Sequence, residues 1–127
     1  AYWKSKGKTA IDNPDKYGPD LVVDGEFYCE MEIKRAWKGK EFKYRTCQIP
    51  HRKAKYLDKD KYDKPTHFLI LNNEQDYAFF ITAEDVASSP VVEVPNKYVP
   101  SGEMFFQVSL DKLNLVELPK NVHQDND

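Results

Sequence analysis

Cysteine is scarce, with only Cys29 and Cys47 in 127 residues, and the two form no CxxC pair or metal-type spacing. That excludes a zinc ribbon and a disulfide scaffold, and fits an intracellular, reducing setting in cytoplasm or nucleoid. Glycine is also sparse, and no glycine-rich phosphate loop occurs. No apolar stretch approaches the roughly 18–20 residues of a membrane span, and no secretory h-region is present. The three histidines, His51, His67 and His123, have no ligand spacing, and no Ser/His/Asp or Cys/His arrangement suggests a nucleophilic triad. His67 opens an apolar run and reads as a satisfied core histidine, while His51 sits beside a basic run.

Net charge is also small, −2, but the average hides a segregation. Residues 34–64 hold 12 of the 19 Lys and Arg and only four of the 21 acids, a local charge of +8 that leaves −10 on the rest. A local field of that sign steers a polyanion even when the total charge does not. Aromatics are plentiful, with 8 Tyr, 7 Phe and 2 Trp interleaved with charges, as in a compact protein. The length suits one domain over 1–127 with a core that needs no staples. The chain opens on Ala1 rather than methionine, as a processed chain or a fragment does.

Along the chain, residues 1–16 are polar and without periodicity, and they and the tail 121–127 read as flexible ends. Leu21–Val23 reads as a short strand, Asp24-Gly25 as a turn, and Glu26 to Lys34 as an alternating strand. Its apolar face carries Phe27, Cys29, Met31 and Ile33, which makes Cys29 a buried free thiol. The opposite face carries Glu30, Glu32 and Lys34. Residues 38–48 continue as an irregular or extended piece. Pro50 then opens a basic helix from His51 to about Lys59. The nearly continuous apolar runs His67–Leu71 and Tyr77–Ile81 are strands buried on both faces. Thr82 caps a short helix through Ala87, and Ser109 caps a one-turn helix. Val91–Val94, Met104–Val108 and Asn114–Leu118 are further strands. The fold class is α/β, strand-rich at its centre.

Phosphodiester hydrolysis needs a hard cation to activate water and offset charge on the phosphate. Mg²⁺ takes one or two carboxylates, with waters and phosphate completing its shell, and a nearby lysine orients or deprotonates the attacking water. Asp20, Glu32 and Lys34 are those residue types. Gly18-Pro19-Asp20, eleven residues, then Glu32-Ile33-Lys34 resembles the motif of the PD-(D/E)xK nuclease superfamily. The likeness is close over Pro19–Lys34 and looser through the basic helix and the strand pair 67–81.

That resemblance implies a restriction-endonuclease-like core, a mixed central β-sheet flanked by helices. It implies a Mg²⁺-dependent DNA endonuclease, with Mn²⁺ as a substitute. Asp20 and Glu32 would be metal ligands, the Ile33 carbonyl a third, and Lys34 the catalytic lysine. Glu30 is an extra acid on that face, left to a second metal or to an ion pair with a lysine. Arg45, Gln48, Arg52, Lys53 and Lys55 would grip DNA, and a homodimer is implied because cutting two strands takes two sites. The family core also begins with a helix that often donates a glutamate, for which residues 1–16 are too short and polar.

Other readings stand beside this one. The same fold serves as a catalytically inactive DNA-binding or assembly component, and the basic segment serves equally as a protein-docking surface. A run such as Arg52-Lys53-Ala54-Lys55 is by default a solvated face. Flanked by Trp37, Phe42, Tyr44 and Tyr56 it suits phosphates and exposed bases, although Trp37 and Phe42 suit the core equally.

Strand register decides whether the acids meet. A two-residue Asp24-Gly25 hairpin would set Asp20 opposite Cys29 and turn it away from Glu32. A three-residue loop, Asp24 to Glu26, would set Asp20 opposite Glu30 and diagonal to Glu32, at roughly 7–8 Å. The shared site requires the odd-length loop.

Overall fold

The two doubly apolar runs become adjacent interior strands of a sheet with a core on each side. The computed structural model describes residues 2–95 and 102–119. Helix α1 (Tyr2–Ser5) is followed by strands β1 (Ala10–Asp12), β2 (Leu21–Val23), β3 (Phe27–Ile33) and β4 (Thr46–Pro50). A 3₁₀ helix (His51–Leu57) leads to β5 (Thr66–Leu71), β6 (Tyr77–Ile81) and helix α2 (Ala83–Ala87). Strands β7 (Val91–Val94) and β8 (Glu103–Ser109), a 3₁₀ turn (Leu110–Lys112) and β9 (Asn114–Glu117) complete the order.

Six strands form one sheet in the order β1-β2-β3-β5-β6-β9, and a second sheet runs β4-β8-β7. In the larger sheet β3 and β5 pair in parallel and the other neighbours are antiparallel. The chain is therefore mixed α/β with a mostly antiparallel mixed sheet and little helix. No helix among the described residues is long and apolar enough to cross a membrane.

Side chains from β5 and β6 alternate between the two cores. Phe68, Ile70, Phe79 and Ile81 pack with Trp37, Cys47, Ile49, Val86, Phe106 and Val108. On the other side Leu69, Leu71 and Ala78 pack with Val23, Cys29 and Trp3. Fully burying an aliphatic or aromatic side chain contributes roughly 1.5–3 kcal/mol, so this central pair anchors the fold. Both cysteines are free and buried.

Joining parallel strands requires a crossover. Here residues 34–65 supply it, and the crossover itself contributes β4 to the second sheet. The most basic stretch of the chain is thereby laid over the face of β3 that carries Glu30 and Glu32.

Several elements differ from expectation. The helix expected over His51–Lys59 is a 3₁₀ helix ending at Leu57. Its first turn holds no acidic residue and Pro50 provides no side-chain cap, so nothing favours a longer α-helix. Within 38–48, the end joins β4. Residues 1–16 were expected to lack regular structure, but within the described part Tyr2–Ser5 forms α1 and Ala10–Asp12 forms β1. Trp3 anchors them, only 7% exposed and packed edge-on against Phe27 and Phe80 at ring-centroid distances of 5.3 and 5.7 Å. Helix α1 is four residues long and brings no carboxylate. The tail 121–127, with His123, lies outside the described residues.

Other features agree. The Asp85 amide donates to Thr82 Oγ1 at 3.2 Å, capping α2. The Ala83 amide donates to His67 Nδ1 at 2.9 Å, and burial pushes that imidazole below its ordinary pKa.

The β2–β3 register pairs Val23 with Phe27, Val22 with Tyr28 and Leu21 with Cys29. The connection is therefore the three-residue Asp24–Glu26 loop. Asp24 and Gly25 both take positive φ, 51° and 67°, and the Glu26 amide donates to the Val23 carbonyl at 2.9 Å. Asp24 tolerates that backbone while its Oδ1 accepts the Thr9 amide at 2.6 Å. Gly25→Ala places a Cβ in the left-handed region and should lower stability by about 1–2 kcal/mol. Urea unfolding checks this, and an unchanged midpoint would mean the loop relaxes freely.

Candidate functional site

Asp20 is positioned from both sides. Asn13 Nδ2 donates to the Pro19 carbonyl at 2.9 Å, and the Asn13 amide donates to the Asp20 carbonyl at 3.0 Å. Gly18 fits this approach because a Cβ there would meet Asn13 Nδ2 at 2.8 Å. Continuing the β2–β3 register by one residue sets Asp20 opposite Glu30. The Met31 amide donates to Asp20 Oδ2 at 2.8 Å, and the Asp20 amide donates to Glu30 Oε1 at 3.2 Å. Asp20 is thus stitched to the strand that carries Glu32, and its side chain remains exposed.

From Glu30 the charges alternate along the face. Lys53 Nζ lies 3.1 Å from Glu30 Oε2 and 3.5 Å from Glu32 Oε1. Lys34 Nζ lies 3.0 Å from Glu32 Oε2 and donates to the Gln48 carbonyl at 2.6 Å. Strand β4 and the 3₁₀ helix therefore close over β3 through two lysine ammonium groups.

The fate of the extra acid, Glu30, is an ion pair with a lysine. That lysine is Lys53, which was expected on the DNA-gripping surface. At 7% exposure it faces the interior and does not present its ammonium to a solvent-borne phosphate. Two carboxylates draw it inward, while Arg45, Arg52 and Lys55 of the same basic segment are exposed. Gln48 is half-buried. Trp37 belongs to the core, stacked on Phe79 at 4.6 Å.

Asp20, Glu32 and Ile33 border one cleft of about 510 Å³, together with Asp12, Met31 and Arg35. The Met31 amide points to Asp20 and the Lys34 amide donates to Leu71 of β5 at 2.8 Å. Since backbone groups alternate sides along a strand, the Ile33 carbonyl faces the Asp20 edge. Two carboxylates and a carbonyl are the donor types a hard divalent cation takes. Among the described residues, however, no three His, Cys, Asp or Glu are grouped as a metal site. Glu30 and Glu32 turn to lysines instead, so a cation binding Glu32 would share that carboxylate with Lys53 or displace it.

Burial raises the Glu30 pKa above its ordinary 4.5, with Lys53 pulling it back and Asp20 adding to the rise. Burial also pushes the thiols up, Cys47 to about 11 and Cys29 to about 12, so neither presents a thiolate nucleophile. An acid whose pKa is raised on folding binds its proton more tightly in the folded state. Its contribution to stability is present at low pH and is lost as pH rises through the raised value. Relative to Glu30→Gln, the parent should therefore gain stability as pH falls from neutral toward 4.5. Paired urea titrations across that range test this, and parallel pH curves for the two proteins would refute it.

Sequence reasoning singled out Glu30 and Lys53 separately and missed their pairing. The available signal was an acid on the strand face with no assigned partner, followed by a basic crossover long enough to return over it. The chain matches no protein-family model, no curated protein and no solved structure.

Proposed function

We propose that the chain is a Mg²⁺-dependent DNA endonuclease with a restriction-endonuclease-like core, in which Mn²⁺ substitutes for Mg²⁺. The observation that carries this reading is the register that sets Asp20 across from Glu30 and ties it to Met31, beside Glu32 and the Lys34 ammonium. The parallel β3–β5 pair, with the basic crossover between, supports the same core.

Asp20, Glu32 and the Ile33 carbonyl would hold the cation. When bound, it would polarise water and offset charge on the scissile phosphate. An ammonium has three N–H donors. Lys34 uses two acceptors, Glu32 Oε2 and the Gln48 carbonyl, which leaves one N–H to aim at an attacking water or a phosphate oxygen. Gln48 is therefore a positioning residue through its backbone. Arg45, Arg52 and Lys55 supply phosphate contacts along the exposed side, and a homodimer would bring two such sites to two strands.

A second reading, a catalytically inactive DNA-binding or assembly component, draws on one observation: Glu30 and Glu32 are already paired with two lysines, Lys53 and Lys34. Calorimetry with Mn²⁺ separates the two. The nuclease reading expects Mn²⁺ binding by the parent, abolished by Asp20→Asn and by Glu32→Gln. An absence of Mn²⁺ binding, alongside salt-dependent DNA affinity, would favour the inactive component.

A further inference from the structure

A second cavity is bordered by Lys34 and shares no lining residue with the cleft that Asp20 borders. It measures about 230 Å³, and Lys34, Trp37, Phe42, Tyr44, Thr46 and Gln48 line it. That is below the roughly 300 Å³ at which drug-sized sites begin, so it suits a single flat ring system.

Its aromatic wall is braced. Trp37 is 2% exposed and lies nearly parallel to Phe79, with an interplanar angle of 13°. Phe42 meets Trp37 edge-on at 5.3 Å and Phe79 at 5.1 Å. Tyr44 in turn rests edge-on against Phe42 at 5.5 Å, yet is 58% exposed. The rim therefore presents an aromatic ring held by its neighbour and open to solvent. Thr46 and Gln48 add a hydroxyl and an amide, groups that both donate and accept hydrogen bonds. Residues 34–45 carry six cations and one acid, a setting that attracts a phosphate chain.

We infer that this cavity receives an unpaired base of the DNA strand whose phosphate lies at Lys34, with Tyr44 as the stacking ring and Gln48 facing the base edge. The inference rests on the nuclease reading and narrows its substrate class. A base inside a duplex has both faces covered by its neighbours, so only a base that is single-stranded or turned out of the stack offers a face to Tyr44. The substrate is therefore DNA that is single-stranded or distorted at the cut.

The test is equilibrium binding of a labelled single-stranded oligonucleotide and of a blunt duplex of equal length, at several salt concentrations without divalent metal. The parent, Tyr44→Ala and Tyr44→Phe are compared, with thermal melts to confirm folding. Base–aromatic stacking of about 1–3 kcal/mol predicts a loss of about 5- to 150-fold in single-strand affinity for Tyr44→Ala. Tyr44→Phe should bind like the parent, and duplex affinity should be unchanged in all three. Salt-dependent binding with no selective single-strand loss in Tyr44→Ala would overturn the base site and leave the nuclease reading standing. No measurable binding of either DNA at low salt would overturn both.

Discussion

Lys53→Ala is expected to destabilise the protein by about 3–5 kcal/mol, the usual result of removing one partner from a buried ion pair. Lys53 and Glu30 have side chains each only 9% exposed, and Lys53 also approaches Glu32. Removing the ammonium leaves Glu30 buried beside Asp20 with no cation of its own, so it either holds an unpaired charge or takes up a proton, and both cost stability. Urea unfolding measures the loss. The double variant Lys53→Met with Glu30→Gln should recover most of it, because the penalty belongs to the orphaned charge rather than to the missing contact. A loss below about 1 kcal/mol would place Lys53 in the class of exposed pairs, contrary to its burial.

On the proposed nuclease reading, Lys34→Ala is expected to lower the rate of DNA cleavage by about 10²–10⁴-fold, the range for a positioned proton-transfer or charge-stabilising group. DNA affinity should fall only a few-fold, since Arg45, Arg52 and Lys55 remain. Lys34 is more exposed than Lys53, and its partner Glu32 keeps Lys53 nearby, so stability should change far less. Single-turnover rates beside binding isotherms separate these effects. Equal losses in rate and affinity would make Lys34 a phosphate contact rather than a group that acts on the reacting centre.

The contrast between the two lysines shows what was legible in the sequence. Lys34 follows Glu32 by two residues on a strand, so period two alone places both on one side, and the structure joins them at 3.0 Å. The Asp24–Glu26 loop was legible as a requirement because the alternative turned Asp20 to the wrong face. Lys53 was not legible, because it lies in a run with Arg52 and Lys55 and nothing in composition distinguishes the one that turns inward. Its direction is set by Glu30, 23 residues upstream, through a crossover whose path is a tertiary property.

The same holds for the N-terminal segment. Trp3 shows no periodicity with its neighbours, and its partners Phe27 and Phe80 lie far along the chain. Strands β5 and β6 were plain because each is apolar on both faces. Strand β4, at the end of a charged stretch, became visible only through its partner β8.

Asp20, Glu32 and Lys34 are proposed to form a cation-dependent phosphodiesterase site. The most direct measurement is cleavage of single-stranded, duplex and branched DNA in Mg²⁺ or Mn²⁺ by the parent, Asp20→Asn and Lys34→Ala. The parent should cleave only with the metal present, and both variants should lose that cleavage. Cleavage that survives both substitutions, or a folded parent that cuts none of the DNA forms with either metal, would contradict this assignment.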